Sequence, residues 1–184
     1  MELTLVYTDP NAEVVQRCRE GERKAQYELY KLYSKAMFNV SMRIVNDYTE
    51  AEDVLQESFV NAFSELNSYK GDASFGSWLK RIVVNKSISK LRSRRLQWVQ
   101  LGEQDYPDEA ETVCEEDTAW QVEQIRRCIQ QLPDGYRVVL TLYLLEGYDH
   151  GEISEILNIS EATSKSQYHR AKKKLLELVN ALNK

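Results

Sequence analysis

The sequence predicts an all-α protein, built as two small helical domains joined by an acidic linker. Three observations carry this. Apolar residues recur at helical spacing through most of the 184 residues, and seven glycines and three prolines are too few to break that pattern into strands and turns. The stretch from Leu101 to Asp117 lacks the periodicity and contains Gly102 and Pro107. Charge is also segregated. Between Asp72 and Glu103 the only charged residues are Lys80, Arg81, Lys86, Lys90, Arg92, Arg94 and Arg95. From Leu96 to Ile125 there is no Lys or Arg, while eight carboxylates gather between Glu103 and Asp117.

In chain order, Asp9-Pro10 reads as an N-cap with proline in the first turn, opening a helix that pauses near Gly21 and continues toward Val45. Thr49-Glu50-Ala51-Glu52 reads as a capping box for the next helix, whose apolar stripe is Leu55, Phe59, Ala62 and Leu66. Its other side carries Asp53, Gln56, Glu57 and Val60. Such a face is either solvated or a contact surface, and an apolar residue ringed by carboxylates favours contact. A helix over Ser74 to Leu91 places Trp78, Arg81, Asn85 and Arg92 on one side and Phe75, Leu79 and Ile82 on the neighbouring face.

The expected domains are 1–97 and 118–184, with an acidic linker over 98–117. About 20 extended residues reach about 65 Å. After the linker, Val122, Ile125, Ile129 and Leu132 mark a helix that stops at Leu132-Pro133-Asp134. Another runs through Val139, Leu140 and Tyr143 to Gly147. His150 to Leu157 is a short helix with Ile153, Ile156 and Leu157 inward. Asn158 suits a left-handed helix end, and Ser160 can cap the next helix. In that last helix Tyr168, Ala171, Leu175, Leu178 and Leu182 form the stripe expected to be buried, opposite Lys165, Ser166, His169, Arg170 and Lys173. This is helix, tight turn and basic helix, the pattern that sets a second helix into the major groove; a plain helical hairpin with a solvated basic face is the alternative.

Composition excludes several classes. Met1-Glu2 opens no basic segment followed by an apolar run, and no apolar stretch nears the about 20 residues that span a bilayer, so a cytoplasmic protein is expected. Cys18, Cys114 and Cys128 form no CxxC pair, and His150 and His169 lie far from a second ligand set, so no metal, cofactor or catalytic residue is expected. The net charge of -5 does not favour nucleic acid, but the distribution of charge matters more than its sum.

Gly71 to Arg95 concentrates the basic charge and interleaves it with Phe75 and Trp78. Duplex attachment needs only cations, whereas an aromatic and an amide beside arginines suit unstacked bases. The alternative is that Phe75 and Trp78 belong to the core.

Taken together, AEDVLQESFVNAF from Ala51, SFGSWLKRIVVNKSISKLRSRR from Ser74 and LPDGYRVVLTLYLLEGYDHGEISEILNISEATSKSQYHRAKKKL from Leu132 resemble a bacterial extracytoplasmic-function (ECF) sigma factor over nearly the whole chain. The resemblance implies an N-terminal sigma region-two domain and a C-terminal sigma region-four domain that together confer promoter specificity on RNA polymerase, with no enzymatic activity. It implies core RNA polymerase, through its beta-prime and beta subunits, and promoter DNA as partners, with an anti-sigma factor as a further candidate. Asp53, Gln56 and Glu57, with Val60 beside them, would dock on the beta-prime coiled coil. Lys70, Phe75, Trp78, Arg81, Asn85, Arg92 and Arg95 would serve the minus-ten element, with the loop from Lys70 to Ser77 holding a flipped base. Thr163, Lys165, Ser166, His169 and Arg170 would serve the minus-thirty-five element. The sequence departs from the family pattern at Ala162, Ser164 and Gln167. Ser164 is expected to weaken packing or to bond back to a helix carbonyl. A conventional helix-turn-helix regulator of duplex DNA is the runner-up, and it leaves the Asp53 face and the segment from Phe75 to Arg95 without a role.

Overall fold

The computed structural model describes residues 9–101 and 118–182, with side chains described over 9–94 and 122–182. Among the described residues the secondary structure is helical throughout, as the sequence predicts, and the chain divides into two compact units, Met1–Leu91 and Arg92–Lys184.

The first unit holds α1 (Ala12–Arg19), α2 (Arg23–Val45), α3 (Tyr48–Ser64) and the beginning of α4 (Phe75–Leu101). Gly21 adopts φ 85° at the pause between α1 and α2, a conformation that glycine reaches without steric cost. Asn46, left-handed at φ 57°, ends α2, and Asp47 then caps α3 by accepting from the Glu50 N–H at 2.8 Å. The expected capping box at Thr49 is therefore corrected by two residues. Aspartate competes well because its short carboxylate reaches the free N–H groups of the first turn. The stripe Leu55, Phe59, Ala62 and Leu66 is buried as expected.

Asp9 does not cap the helix after it. Asn11 occupies that position, and the Asp9 carboxylate turns inward to α4. Its Oδ2 accepts from the Phe75 N–H and from the Tyr69 hydroxyl at 2.9 Å, while Oδ1 accepts from the Asn11 N–H at 2.8 Å. Burial pushes this carboxyl up, but the Phe75 and Asn11 N–H groups and the Tyr69 hydroxyl outweigh it and hold it below its ordinary value. Ser74 completes the cap of α4, its hydroxyl accepting from the Ser77 N–H at 3.1 Å. α4 runs on to Leu101, so residues 98–101 are helical rather than part of an extended linker; residues 102–117 lie outside the described part.

Phe75, Leu79 and Val83 of α4 are wholly buried. Each contributes about 1.5–3 kcal/mol by leaving water. α2 lies close beside them. Ser41 and Ser87 meet at 3.2 Å in the interior, and Tyr33 packs its ring on Phe75 with centroids 5.5 Å apart.

The second unit contains α5 (Thr118–Gln130), α6 (Asp134–Leu140), α7 (His150–Leu157) and α8 (Glu161–Leu182). α6 continues as one π-helical turn, Thr141–Leu145, in which the Glu146 N–H reaches the Thr141 carbonyl at 3.1 Å. Leu132, Leu140 and Ala171 form the core, with Ile129, Tyr136, Leu175 and Leu178 packed against it. The expected apolar stripes are only partly inside: Val122 is 50% exposed, Ile125 43% and Leu182 47%. Leu182 is the last residue of its helix, where fewer neighbours are available to cover it. Arg137 is buried at the α5–α6 turn, paired with Asp134 and donating to the Leu132 carbonyl at 3.0 Å. Burial lowers its pKa, and the Asp134 charge opposes that. Removing one partner of such a pair leaves an uncompensated charge inside.

Gly76 tests the α2–α4 approach. A Cβ there would lie 2.7 Å from Tyr33 Cε1, and that ring is held by Phe75 and by the Asn11 amide, which donates to its hydroxyl at 2.8 Å. Overpacking costs about 1–3 kcal/mol, and the better helix propensity of alanine recovers less than about 1 kcal/mol so near a helix start. Gly76→Ala should lower stability by about 1 kcal/mol in urea denaturation. An unchanged or raised midpoint would mean that Tyr33 moves aside freely.

Candidate functional site

α3 buries Val54, Leu55, Ser58 and Phe59 and thereby turns Asp53, Gln56, Glu57 and Val60 outward on one face. Val60 is 67% exposed, a large apolar side chain amid polar neighbours. Two exposed ion pairs join this face to α4, Asp53 to Lys90 and Glu57 to Lys86, each at 3.4 Å. Asp53 meets the later lysine and Glu57 the earlier one, so α3 and α4 run in opposite directions here. The matching four-residue spacings, 53 to 57 and 86 to 90, were the available sequence signal. Pairs this exposed contribute at most about 1 kcal/mol, so their carboxylates can exchange partners cheaply.

On α4, Arg81 and Asn85 are exposed and Trp78 is half-buried, so these three share an accessible face. Trp78 leans on Tyr69 and Phe75, with centroids 5.4 and 5.7 Å away. Its ring remains partly accessible. Phe75 is a correction: with none of its surface exposed it cannot stack on a base, and its ring supports Trp78 and Tyr69 instead. Lys70 is exposed at the start of the loop, whose backbone turns at Gly71 with φ 82°. Arg92 is exposed and falls in the second unit, and the Arg95 side chain lies outside the described residues.

In the second unit α7 begins with a complete capping box. Asp149 accepts from the Glu152 N–H at 2.8 Å, and the Glu152 carboxylate accepts from the Asp149 N–H at 2.9 Å. Asn158 takes the expected left-handed conformation, and the Ser160 hydroxyl accepts from the Thr163 N–H at 3.0 Å, starting α8 as expected. Lys165, Ser166, His169 and Arg170 are exposed together on α8. Thr163 is half-buried, its hydroxyl 2.7 Å from that of Ser160. Lys165 is paired with Glu161 at 2.6 Å, and the Ser166 hydroxyl donates to the Thr163 carbonyl at 3.0 Å.

Ser164 behaves differently from expectation. It is fully buried and meets His150 Nδ1 at 2.9 Å, joining the first residue of α7 to α8. His150 also stacks on Tyr143 at 4.5 Å, and Tyr143 lies against Tyr168 at 4.6 Å. Sequence reasoning overlooked this cluster. The polar residue at an inward position of α8 was its only trace.

Among the described residues, no three His, Cys, Asp or Glu side chains gather in a group able to hold a metal ion, and no helix is long and apolar enough to cross a membrane. Cys18 and Cys128 are buried. Burial pushes the Cys18 thiol up to about 11 and raises that of Cys128, so neither is poised for thiolate chemistry. Cys114 lies outside the described residues.

Two family models match, sigma-70 region 2 over residues 29–97 and sigma-70 region 4 over residues 122–175. The ECF RNA polymerase sigma factor SigM of Bacillus subtilis is 32% identical over 156 residues, covering 83% of this chain and 94% of its own. SigW of the same organism is 28% identical over 172 residues, covering 88% and 92%. Among solved structures, the sigma factor RpoE of Bartonella quintana, in complex with the anti-sigma factor NepR, shares the fold. Its TM-score is 0.58 at 19% identity, with 84% of this chain and 96% of that one covered.

The bond between Ser164 and His150 makes a measurable contribution. Ser164→Ala removes one hydrogen bond of α7 to α8 and should lower the stability of the chain by about 0.5–1.5 kcal/mol. Urea denaturation checks this, and an unchanged midpoint would mean that water replaces the hydroxyl at no cost.

Proposed function

The chain belongs to the ECF family of RNA polymerase sigma factors, and from that premise we propose how its surfaces divide the work. It directs core RNA polymerase to specific promoters and assists DNA opening at initiation, with core polymerase and promoter DNA as its partners. It is a regulator, and we assign it no catalytic step. We place the region-two role in residues 1–97, the region-four role in 118–184 and a linker between them.

The observation that carries this division is the accessible face of α4. Trp78, Arg81 and Asn85 face outward together because Phe75, Leu79 and Val83 are buried beneath them. An amide presents donors and acceptors to unpaired base edges, arginines hold phosphates, and a partly accessible indole can stack on a base. A regulator of duplex DNA alone has no use for this face.

Asp53, Gln56, Glu57 and Val60 form the polymerase-docking surface in this reading. The carboxylates would exchange Lys86 and Lys90 for basic groups of the beta-prime subunit, and the Val60 side chain would leave water. Lys165, Ser166, His169 and Arg170 read the upstream element in the major groove, with Thr163 near the backbone. The net charge of -5 keeps affinity for DNA low without polymerase. An anti-sigma factor is a further proposed partner, since the Bartonella quintana sigma factor that shares this fold was solved in such a complex.

Reversing Asp53 and Glu57 to Lys tests docking. Charge-assisted contacts contribute about 1.5–3 kcal/mol each when desolvated, so the double variant should lose co-purification with core polymerase while its helical circular dichroism persists. Retained co-purification would remove this face from the docking surface.

Run-off transcription with core polymerase on a promoter library tests the reader. Lys165→Ala or Arg170→Ala should relax the selected upstream motif alone, by about 1–3 kcal/mol at a contacted base pair. If both variants select the parent's motif at the parent's strength, α8 is not the reader.

A further inference from the structure

We propose that Asp9, assisted by Arg19, is a positioning residue for promoter opening. The two hold the loop over 70–74 and the start of α4 in the shape that receives the opened strand. This rests on assigning that loop and the accessible face of α4 to unpaired DNA.

The loop has little to shape it from within. Gly71 is left-handed, and Lys70, Asp72 and Ala73 are exposed. Its two ends are instead tied to one carboxylate far away in the chain. Asp9 Oδ2 accepts from the Tyr69 hydroxyl at one end and from the Phe75 N–H at the other. The same Tyr69 hydroxyl lies 2.6 Å from the Ala73 carbonyl, inside the loop. The second Asp9 oxygen is held by the Asn11 N–H, which sets the plane of the carboxylate. Arg19 on α1 donates to the Tyr69 carbonyl and places its guanidinium 5.9 Å from the Tyr69 ring centroid. The distance between the loop ends is therefore set by α1 and the residues before it. Tyr69 and Phe75, the two residues so held, are also the rings on which Trp78 rests.

A loop that must grip an unstacked nucleotide gains from being ordered beforehand, because ordering it during opening would add to the barrier. The core of the unit extends well beyond this clasp: Leu29, Ile44 and Leu79 are wholly buried on α2 and further along α4. Loss of the carboxylate should accordingly loosen the loop before it unfolds the unit.

The test uses the full chain with core polymerase on a promoter selected by the parent. Asp9→Asn keeps the size, but its single carbonyl oxygen cannot serve Asn11, Tyr69 and Phe75 together. Permanganate reactivity of minus-ten thymines should appear about tenfold more slowly on duplex DNA, the loss of about one charge-assisted hydrogen bond in the opening step. Closed-complex affinity at low temperature should stay within about twofold, and a promoter with a pre-opened bubble should restore most of the rate. Leu29→Val, a core change away from the loop, serves as the stability control, matched by thermal unfolding. Equal slowing by Leu29→Val at equal loss of stability, or a parent-like rate for Asp9→Asn, would overturn the proposal. If Asp9→Asn does not fold, Arg19→Gln takes its place under the same criteria. Arg81→Ala with Asn85→Ala is run beside them. Parent-like opening there removes the α4 reading and this proposal with it, whereas slowed opening there beside a parent-like Asp9→Asn removes the clasp alone.

Discussion

Burial of one stripe of α4 against α2 is the constraint on which the rest of the first unit depends. Phe75, Leu79 and Val83 have no exposed surface, and a helix advances about 100° per residue, so the side chains between them have no choice of direction. Trp78, Arg81 and Asn85 are displayed because their neighbours are hidden. The close approach of α2 makes this possible. Gly76 leaves room for the Tyr33 ring, and the serine pair at 41 and 87 lets two helices meet without a bulky side chain between them. Packing and display are two consequences of one arrangement.

The second unit solves a similar problem by different means. Leu132, Leu140 and Ala171 lie at the centre of its core, and polar interactions mark where its helices begin and end. Arg137 and Asp134 hold the turn between α5 and α6, the Asp149 capping box begins α7, Asn158 ends it, and Ser160 begins α8. Each such device contributes about 1 kcal/mol, but together they specify where each helix starts. The contact of His150 with Ser164 adds a direct link from α7 to α8, so the exposed residues of α8 are held relative to the rest of the unit. The role of recognition helix proposed for α8 requires that fixity, because base contacts discriminate only when the side chains arrive in register.

Electrostatics connects the α3 and α4 faces of the first unit. The chain is acidic overall, yet the α4 lysines do not stand apart from the carboxylates. Lys86 and Lys90 lie against Glu57 and Asp53. Ion pairs at the surface hold a side chain loosely and release it at little cost. A face built this way keeps both signs of charge available, which suits the two roles proposed for it, a basic protein surface for the carboxylates and a phosphate backbone for the cations.

The helical class, the positions of most helices, the α3 stripe, the left-handed Asn158 and the Ser160 cap were legible in the sequence, because each depends on residues within about four positions of one another. The candidate surfaces were legible for the same reason: Asp53, Gln56 and Glu57, or Arg81 and Asn85, share a helix face by spacing alone. Tertiary structure decided the rest. Whether Phe75 was core or contact depended on Tyr33, distant in sequence, and on Tyr69 across the intervening loop. Asp9 read as the cap of its own helix, since a local partner is the only one a sequence displays, yet its carboxylate serves an N–H 66 residues away. Ser164 looked like a weakness in an apolar stripe until His150 supplied its partner. Local periodicity is written in the chain, but a polar group's partner is chosen by the folded neighbourhood, where burial makes leaving it unpaired the costlier outcome.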